Sequence, residues 1–192
     1  GADDYVNIPN SPSVQDVQEN NYTVSAWFKP YSIPPGSGSD NNAHYGILYK
    51  NGFHTGIRYS YNGKFYGDHW LTGNVVAGTG GGVDCATNVF HHVVMVVDKA
   101  QGKTRGYVNG GLQNTASWTA GTAAREYDTT TWKIGIASPG AGTWRWAAHG
   151  VIDDVRLYTR ALSDNEVNAL YQKVSAADTD NDGIPDYLED NN

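Results

Sequence analysis

The sequence holds one cysteine, Cys85, so no disulfide forms within the chain and no cysteine-based zinc site is available. Its longest uninterrupted aliphatic run is residues 93–97, far short of the ~18 apolar residues that read as a membrane-spanning helix. The 13 lysines and arginines are scattered and form no basic stripe for a phosphate backbone, so neither membrane insertion nor nucleic-acid binding is expected. Glutamate occurs only as Glu19, Glu126, Glu166 and Glu189. Glycoside hydrolysis needs two carboxyl groups across the scissile bond, and two of these four have other employment, as described below. The chain opens at Gly1 without an initiator methionine or a signal peptide, the pattern of a mature form or an excised module.

What is present points to strands. Twenty-three glycines, 13 tyrosines and six tryptophans in 192 residues favour sheets and tight turns over helices, and the length suits one well-buried domain with an appendage. The net charge of −7 is local: Asp178, Asp180, Asp182, Asp186, Glu189 and Asp190 sit in a tail without lysine or arginine, leaving −1 for residues 1–177. That concentration argues for a cation site in the tail.

Turn signals at Asn51-Gly52, Asn62-Gly63, Asn109-Gly110-Gly111 and Ser138-Pro139-Gly140 divide the body into short runs. Residues 23–29 alternate, with Val24, Ala26 and Phe28 on one side and Thr23, Ser25, Trp27 and Lys29 on the other. Residues 131–137 place Trp132, Ile134 and Ile136 on one face, and Trp27 and Trp132 read as core. Residues 93–97 lack alternation and predict a central strand covered on both faces. Many short strands without intervening helices predict an all-β, two-sheet antiparallel sandwich. Residues 31–42 and 76–88 read as long loops. One helix is signalled: Ser163 and Glu166 form a capping box, and Val167, Leu170, Tyr171 and Val174 follow at helical spacing to an end near Ala176.

The tail carries the most specific motif. Asp178, Asp180 and Asp182 occupy positions one, three and five of a twelve-position calcium loop, with Gly183 at six, the Ile184 carbonyl at seven, Asp186 at nine and Glu189 at twelve. Six acidic groups without a metal would repel one another, so Ca²⁺ is the expected cofactor. Only three residues follow Glu189, too few for the exit helix of an EF-hand. With its Ile184-Pro185 pair, the segment resembles the D-x-D-x-D-G-I-P-D repeats of the thrombospondin type 3 class, which implies a calcium-stiffened spacer truncated to one copy.

The body resembles the laminin-G-like group of concanavalin A-like jelly rolls. The matching pieces are GADDYVNIPNSPSV, YTVSAWFKP, GILYKNG, FHHVVMVVDKAQGKTRGYVNG, WKIGIA and, most specifically, GVIDDVRLYTRALSDNEVNALY. The resemblance implies two curved antiparallel sheets over residues 1–176, followed by the calcium tail at 177–192. It also implies a bound calcium ion and a secreted or cell-surface role in binding glycans or other extracellular partners. In a regular strand, Asp153 shares a face with Val151, Val155 and Leu157, and a carboxylate there needs a partner. The residues leave open whether that partner is Ca²⁺ or backbone amides with Arg156 or Arg160. The resemblance favours Ca²⁺, with Asp3 or Asp4 as co-ligands.

Catalysis is not expected. The paired acids of jelly-roll glucanases (E-x-D-x-x-E) and the Q-I-H strand of alginate lyases are both missing. Asp153 and Asp154 are neighbours in a strand and point to opposite faces, His91-His92 reads as packing at a strand start, and Cys85 has no convincing histidine partner.

For binding, aromatic faces stack on the apolar C–H groups of sugar rings while polar neighbours read hydroxyls. Tyr66, Asp68 and Trp70 alternate and share a face. A three-residue turn at Asn62-Gly63 adds Arg58 and Ser60 to that face, and a two-residue turn adds Tyr59 and Tyr61 instead. Trp144 and Trp146 form a further rim, and His44, Tyr45, His54 and His69 add polar tips. The candidate glycan contacts are therefore Tyr66, Asp68, Trp70, Arg58, Tyr45 and Trp144. The expected function is a calcium-stabilised, non-catalytic carbohydrate-binding module of a larger secreted protein that acts on or adheres to polysaccharide. The rival is a protein-binding, adhesion or spacer domain of a cell-surface protein.

Overall fold

The computed structural model describes residues 4–37, 43–50, 55–125, 131–137 and 146–175. The acidic tail, Asp3, His54 and Trp144 lie outside them.

The elements are strands β1 (Val6–Ile8), β2 (Tyr22–Pro30), β3 (His44–Lys50), β4 (Thr55–Ser60), β5 (Phe65–Leu71), β6 (Val75–Val76), β7 (Thr79–Gly80), β8 (His91–Asp98), β9 (Lys103–Val108), β10 (Gly111–Ser117), β11 (Trp132–Ile134) and β12 (Gly150–Tyr158), followed by helix α1 (Asp164–Ser175). They form two antiparallel sheets. One has the order β1-β11-β3-β4-β5-β6 with β7 also pairing to β5, and the other has the order β10-β9-β8-β2-β12. This is the two-sheet sandwich that the turn spacing predicted. Strands β6 and β7 fall at the start of the predicted 76–88 loop, each only two residues long.

Between the sheets lie Val24, Ala26 and Phe28 of β2, Val93, Met95 and Val97 of β8, Ile57 and Tyr59 of β4, Phe65 of β5 and Trp132 of β11. The other face of β8 is apolar too. Val94 and Val96 pack with Tyr107 beneath Leu162 and Val167 at the start of α1. Strand β8 therefore sits mid-sheet and is covered on both sides, which is why its sequence lacks polar alternation.

The capping box forms as spaced: the Ser163 amide donates to Glu166 Oε2 at 2.9 Å, and the Glu166 amide donates to Ser163 Oγ at 3.3 Å. Arg160 Nη2 lies 2.7 Å from Glu166 Oε1, and this arginine with the two Ser163 donors holds the Glu166 carboxyl down at about 2. Tyr171 of α1 stacks on Trp27 at 5.8 Å, and His92 lies beside Trp27 at 5.2 Å. Trp27 is thus buried beneath the helix rather than between the sheets.

Strand β12 departs from regular alternation. Asp153 pairs with Trp27 and Arg156 with Ser25, so one extra residue is inserted between them. Asp154 takes φ +43° at this bulge. Ile152, Val155 and Leu157 pack against the core, and Asp153 shares its row with Trp27 on the opposite face. The expectation that Asp153 points with Val155 and Leu157 is corrected by that bulge, since one inserted residue inverts the parity of all that follows.

Candidate functional site

The outer face of the seven-stranded sheet gathers most of the residues anticipated for binding. The turn between β4 and β5 decides which. Ser60 N–H donates to Lys64 O, Gly63 N–H donates to Ser60 O and Tyr59 pairs with Phe65, so Tyr61, Asn62 and Gly63 form a three-residue loop. Gly63 takes φ +71°, a conformation only glycine adopts at little cost. That length aligns Arg58 with Tyr66 and Gly56 with Asp68, and sends Tyr59 into the core.

Arg58 and Asp68 form the centre. Arg58 Nε lies 2.6 Å from Asp68 Oδ2 and Nη2 lies 3.2 Å from Oδ1, with the two side chains only 16% and 9% exposed. The Tyr49 hydroxyl donates to the same Oδ2. Arg58 Nη1 lies 2.9 Å from His44 Nδ1, which is also 2.9 Å from Ser60 Oγ. The guanidinium carbon lies 4.7 Å from the Tyr66 ring centroid and 5.9 Å from that of Trp146.

Burial and this pairing set the charge states. Burial pushes the Tyr49 hydroxyl well above its usual range, and Asp68 beside it adds to the rise. Burial and then Arg58 lower His44 to about 4. Burial, the largest influence, would lower Arg58, but Asp68 and Tyr49 together outweigh it and keep the guanidinium above its ordinary value. The centre therefore holds one cation and one anion beside a neutral phenol and a neutral imidazole at neutral pH.

Two glycines shape the surroundings. A Cβ at Gly46 would meet the Ala137 Cβ at 2.4 Å, so the Ala137 segment lies directly across β3. There Trp146 N–H donates to Ala137 O at 3.0 Å and Gly46 N–H to Trp146 O at 2.8 Å, which sets the indole 4.4 Å from His44, edge to face. A Cβ at Gly80 would sit 1.8 Å from the Tyr66 ring, so that ring lies over the Gly80 backbone. Trp70, partly exposed at the end of the row, has the Arg125 guanidinium 5.4 Å from its ring.

Tyr66, Asp68, Trp70 and Arg58 thus come together as the strand parity and the longer turn predict. Tyr45 does not join them. It pairs with Tyr59, belongs to the core cluster and shares a hydrogen bond between its hydroxyl and Ser32 Oγ at 2.9 Å, so it faces away from Arg58. His69 also faces inward, 3.0 Å from the Tyr22 hydroxyl. Tyr49 takes the outer place instead. A bulge between Gly46 and Leu48 inserts one residue into β3 and turns Tyr49 to the face opposite Tyr45. No sequence signal marks that bulge directly; Gly56, aligned with Tyr49 and passed over by its ring, was the available hint.

For the metal reading, Asp153 Oδ1 accepts the Asp154 amide at 2.6 Å, and Arg156 clasps Asp154 with Nε–Oδ1 and Nη2–Oδ2 distances of 2.7 Å. Asp4 is exposed before β1. Among the described residues no group of three or more histidine, cysteine or acidic side chains is placed to hold a metal ion. Asp3 and the tail ligands Asp178, Asp180, Asp182, Ile184, Asp186 and Glu189 lie outside the described residues.

Two antiparallel sheets packed face to face, with a short helix on the outside of the five-stranded one, define a concanavalin A-like sandwich. The chain belongs to the Laminin_G_3 family, the concanavalin A-like lectin/glucanases superfamily, whose model matches residues 1–168. The fold is similar to the CBM40 module of the Ruminococcus gnavus IT-sialidase bound to α2,3-sialyllactose, with TM-score 0.66 and 17% identity over 88% of this chain and 97% of that one. It is also similar to the binding domain of Paraclostridial Mosquitocidal Protein 1 (TM-score 0.62, 14% identity, 88% of this chain and 41% of that one). A third likeness is to the Trypanosoma rangeli sialidase (TM-score 0.57, 18% identity), of which the match covers 23% against 81% of this chain. No curated protein matches the sequence.

Proposed function

We propose that the protein is a non-catalytic carbohydrate-binding module that takes a glycan on the outer face of its seven-stranded sheet. The observation that carries this reading is the row of partly exposed Tyr66 and Trp70 flanking Asp68 on β5, beside Arg58 and backed by the buried Trp146 indole. A half-covered aromatic patch with a few fixed polar groups is what sugar recognition requires. The Ruminococcus gnavus module of similar fold, described as bound to sialyllactose, supports it. Binding without turnover is supported by the engagement of Asp68, whose two oxygens are taken up by Arg58 and Tyr49. A glycan array in calcium buffer tests the reading: saturable binding is expected, weakened in Trp70→Ala, and silence across a broad array would count against it.

The tail loop is proposed to bind Ca²⁺ through Asp178, Asp180, Asp182, Ile184, Asp186 and Glu189, on the strength of its residue order. The setting we infer is a larger secreted or cell-surface protein in which this module contacts polysaccharide and neighbouring domains. The adhesion reading draws on exposed apolar side chains at Tyr31, Ile33, Val83 and Val89, about half exposed at 47–52%. A defined protein partner together with glycan inertness would favour it.

A further inference from the structure

Resting on the glycan-binding reading, we propose that this site takes neutral sugars and does not read a carboxylate, in contrast to the sialylated ligand of the Ruminococcus gnavus module. Recognition of a sugar acid by arginine uses the planar fork of the guanidinium, two parallel N–H groups meeting two carboxylate oxygens. The arginine at the centre of this face has spent its Nε–Nη2 edge on a carboxylate of its own sheet. Its Nε and Nη2 are on the two oxygens of Asp68, at 2.6 and 3.2 Å, and its Nη1 is on His44 at 2.9 Å. The faces of the guanidinium are taken as well, with the Tyr66 and Trp146 ring centroids 4.7 and 5.9 Å away.

A glycan carboxylate seeking the Nε–Nη2 edge would have to displace Asp68, and Asp68 is covalently part of the same sheet, one strand from Arg58 in fixed register. It would also stand beside a buried carboxylate of like sign. The Tyr49 hydroxyl, donated to Asp68, closes the remaining side of that acceptor. Among the described residues, Lys64 beside β5 lies 2.7 Å from Asp84 Oδ1 and donates to Gly82 O at 2.7 Å. The Arg125 guanidinium lies 5.4 Å from the Trp70 ring, at the end of the row. What the site offers a ligand is ring surface and hydroxyl-scale polarity, with the central charge internally cancelled. That is the recognition chemistry of a neutral pyranose.

The test uses the full chain and matched pairs of probes: lactose against α2,3-sialyllactose, and neutral gluco-, manno- and xylo-oligosaccharides against uronate oligosaccharides, each at two ionic strengths. Within the pairs that bind, the neutral member is expected to bind at least as tightly as the acidic one, with affinity unchanged by salt. Preference of tenfold or more for the acidic member, lost at high salt, would overturn the neutral-sugar assignment while leaving glycan binding intact. No binding by any probe would instead remove the glycan reading and this inference with it. Asp68→Asn gives a second readout, because it releases the Arg58 fork: in folded variant, confirmed by circular dichroism, the ratio of acidic to neutral affinity should rise about tenfold or more. An unchanged ratio in that folded variant would contradict the assignment.

Discussion

The Arg58 guanidinium meets both carboxylate oxygens of Asp68 from the adjacent strand, with Nε 2.6 Å from Oδ2, and both side chains are nearly buried on what is otherwise the outer face of a sheet. The pair should hold the face together as well as set its charge. Removing one partner strands the other without compensation, so Arg58→Ala and Asp68→Ala should each cost about 3–5 kcal/mol in urea unfolding. The double variant should cost less than their sum, because it leaves no unpaired charge. Single variants within about 1 kcal/mol of the parent, a margin typical of exposed pairs, would mean that the pair is effectively solvated.

Trp70 separates binding from folding. Its ring is partly exposed, with Arg125 against it, so truncation should leave the core unaffected. Trp70→Ala should weaken glycan affinity about tenfold, or about 1.4 kcal/mol, as measured by isothermal titration, with little change in melting temperature. Equal affinity in the variant would move the sugar away from β5.

Gly46 works through the segment that crosses it. A methyl group there would meet the Ala137 Cβ at 2.4 Å and the Ala137 nitrogen at 2.5 Å, so the segment must lift and carry Trp146 with it. Gly46→Ala should cost about 1–3 kcal/mol and shift the tryptophan emission to the red. An unperturbed spectrum and stability would show that the crossing is loose.

Acid should destabilise the fold well before the carboxylates titrate. Burial lowers His44, His69 and His92 each to about 4 from 6.5, aided respectively by Arg58, Lys99 and Arg156. Between those values the unfolded chain binds protons that the folded chain refuses, so stability rises with pH across the window and is lost as pH falls from 6.5 toward 4. The slope should reach up to ~1.4 kcal/mol per pH unit for each histidine. Glu166, lowered from 4.5 to about 2, keeps its contribution above 4.5 and loses it only as pH falls from there toward 2. A flat urea midpoint between pH 7 and pH 5 would contradict the burial of these rings.

Calcium and Asp153 should prove separable. Asp153 Oδ1 receives the Asp154 amide at the β12 bulge, so Asp153→Ala should cost about 1 kcal/mol with or without Ca²⁺. Calcium binding by titration should be abolished by Glu189→Gln, while the melting temperature of the sandwich is the same in calcium and in chelator. A melting temperature that drops in chelator would return a ligand to Asp153.

The parts of the molecule legible in sequence were those fixed by short-range pattern. Residues 93–97 announced a doubly covered strand, Ser163 and Glu166 announced the helix start, and β5 announced the shared face of Tyr66, Asp68 and Trp70. What escaped depends on single inserted residues. The bulge in β3 sends Tyr49 outward while Tyr45 stays in the core, and the bulge in β12 turns Asp153 away from Val155 and Leu157. Strand parity has a period of two, so one residue reverses it, and no composition signal registers an insertion. The Arg58–Asp68 pair needed the length of the Asn62-Gly63 turn, which only backbone geometry fixes.

The most direct test is an amide and indole NMR titration of the ¹⁵N-labelled chain with a neutral oligosaccharide that scores on the array. The account predicts saturable shifts of the Trp70 and Trp146 indole N–H and Arg58 Nε signals, with the Trp27 indole under α1 unmoved. Perturbation confined to Trp27 and the five-stranded sheet, with the Arg58 face silent at saturating sugar, would contradict it.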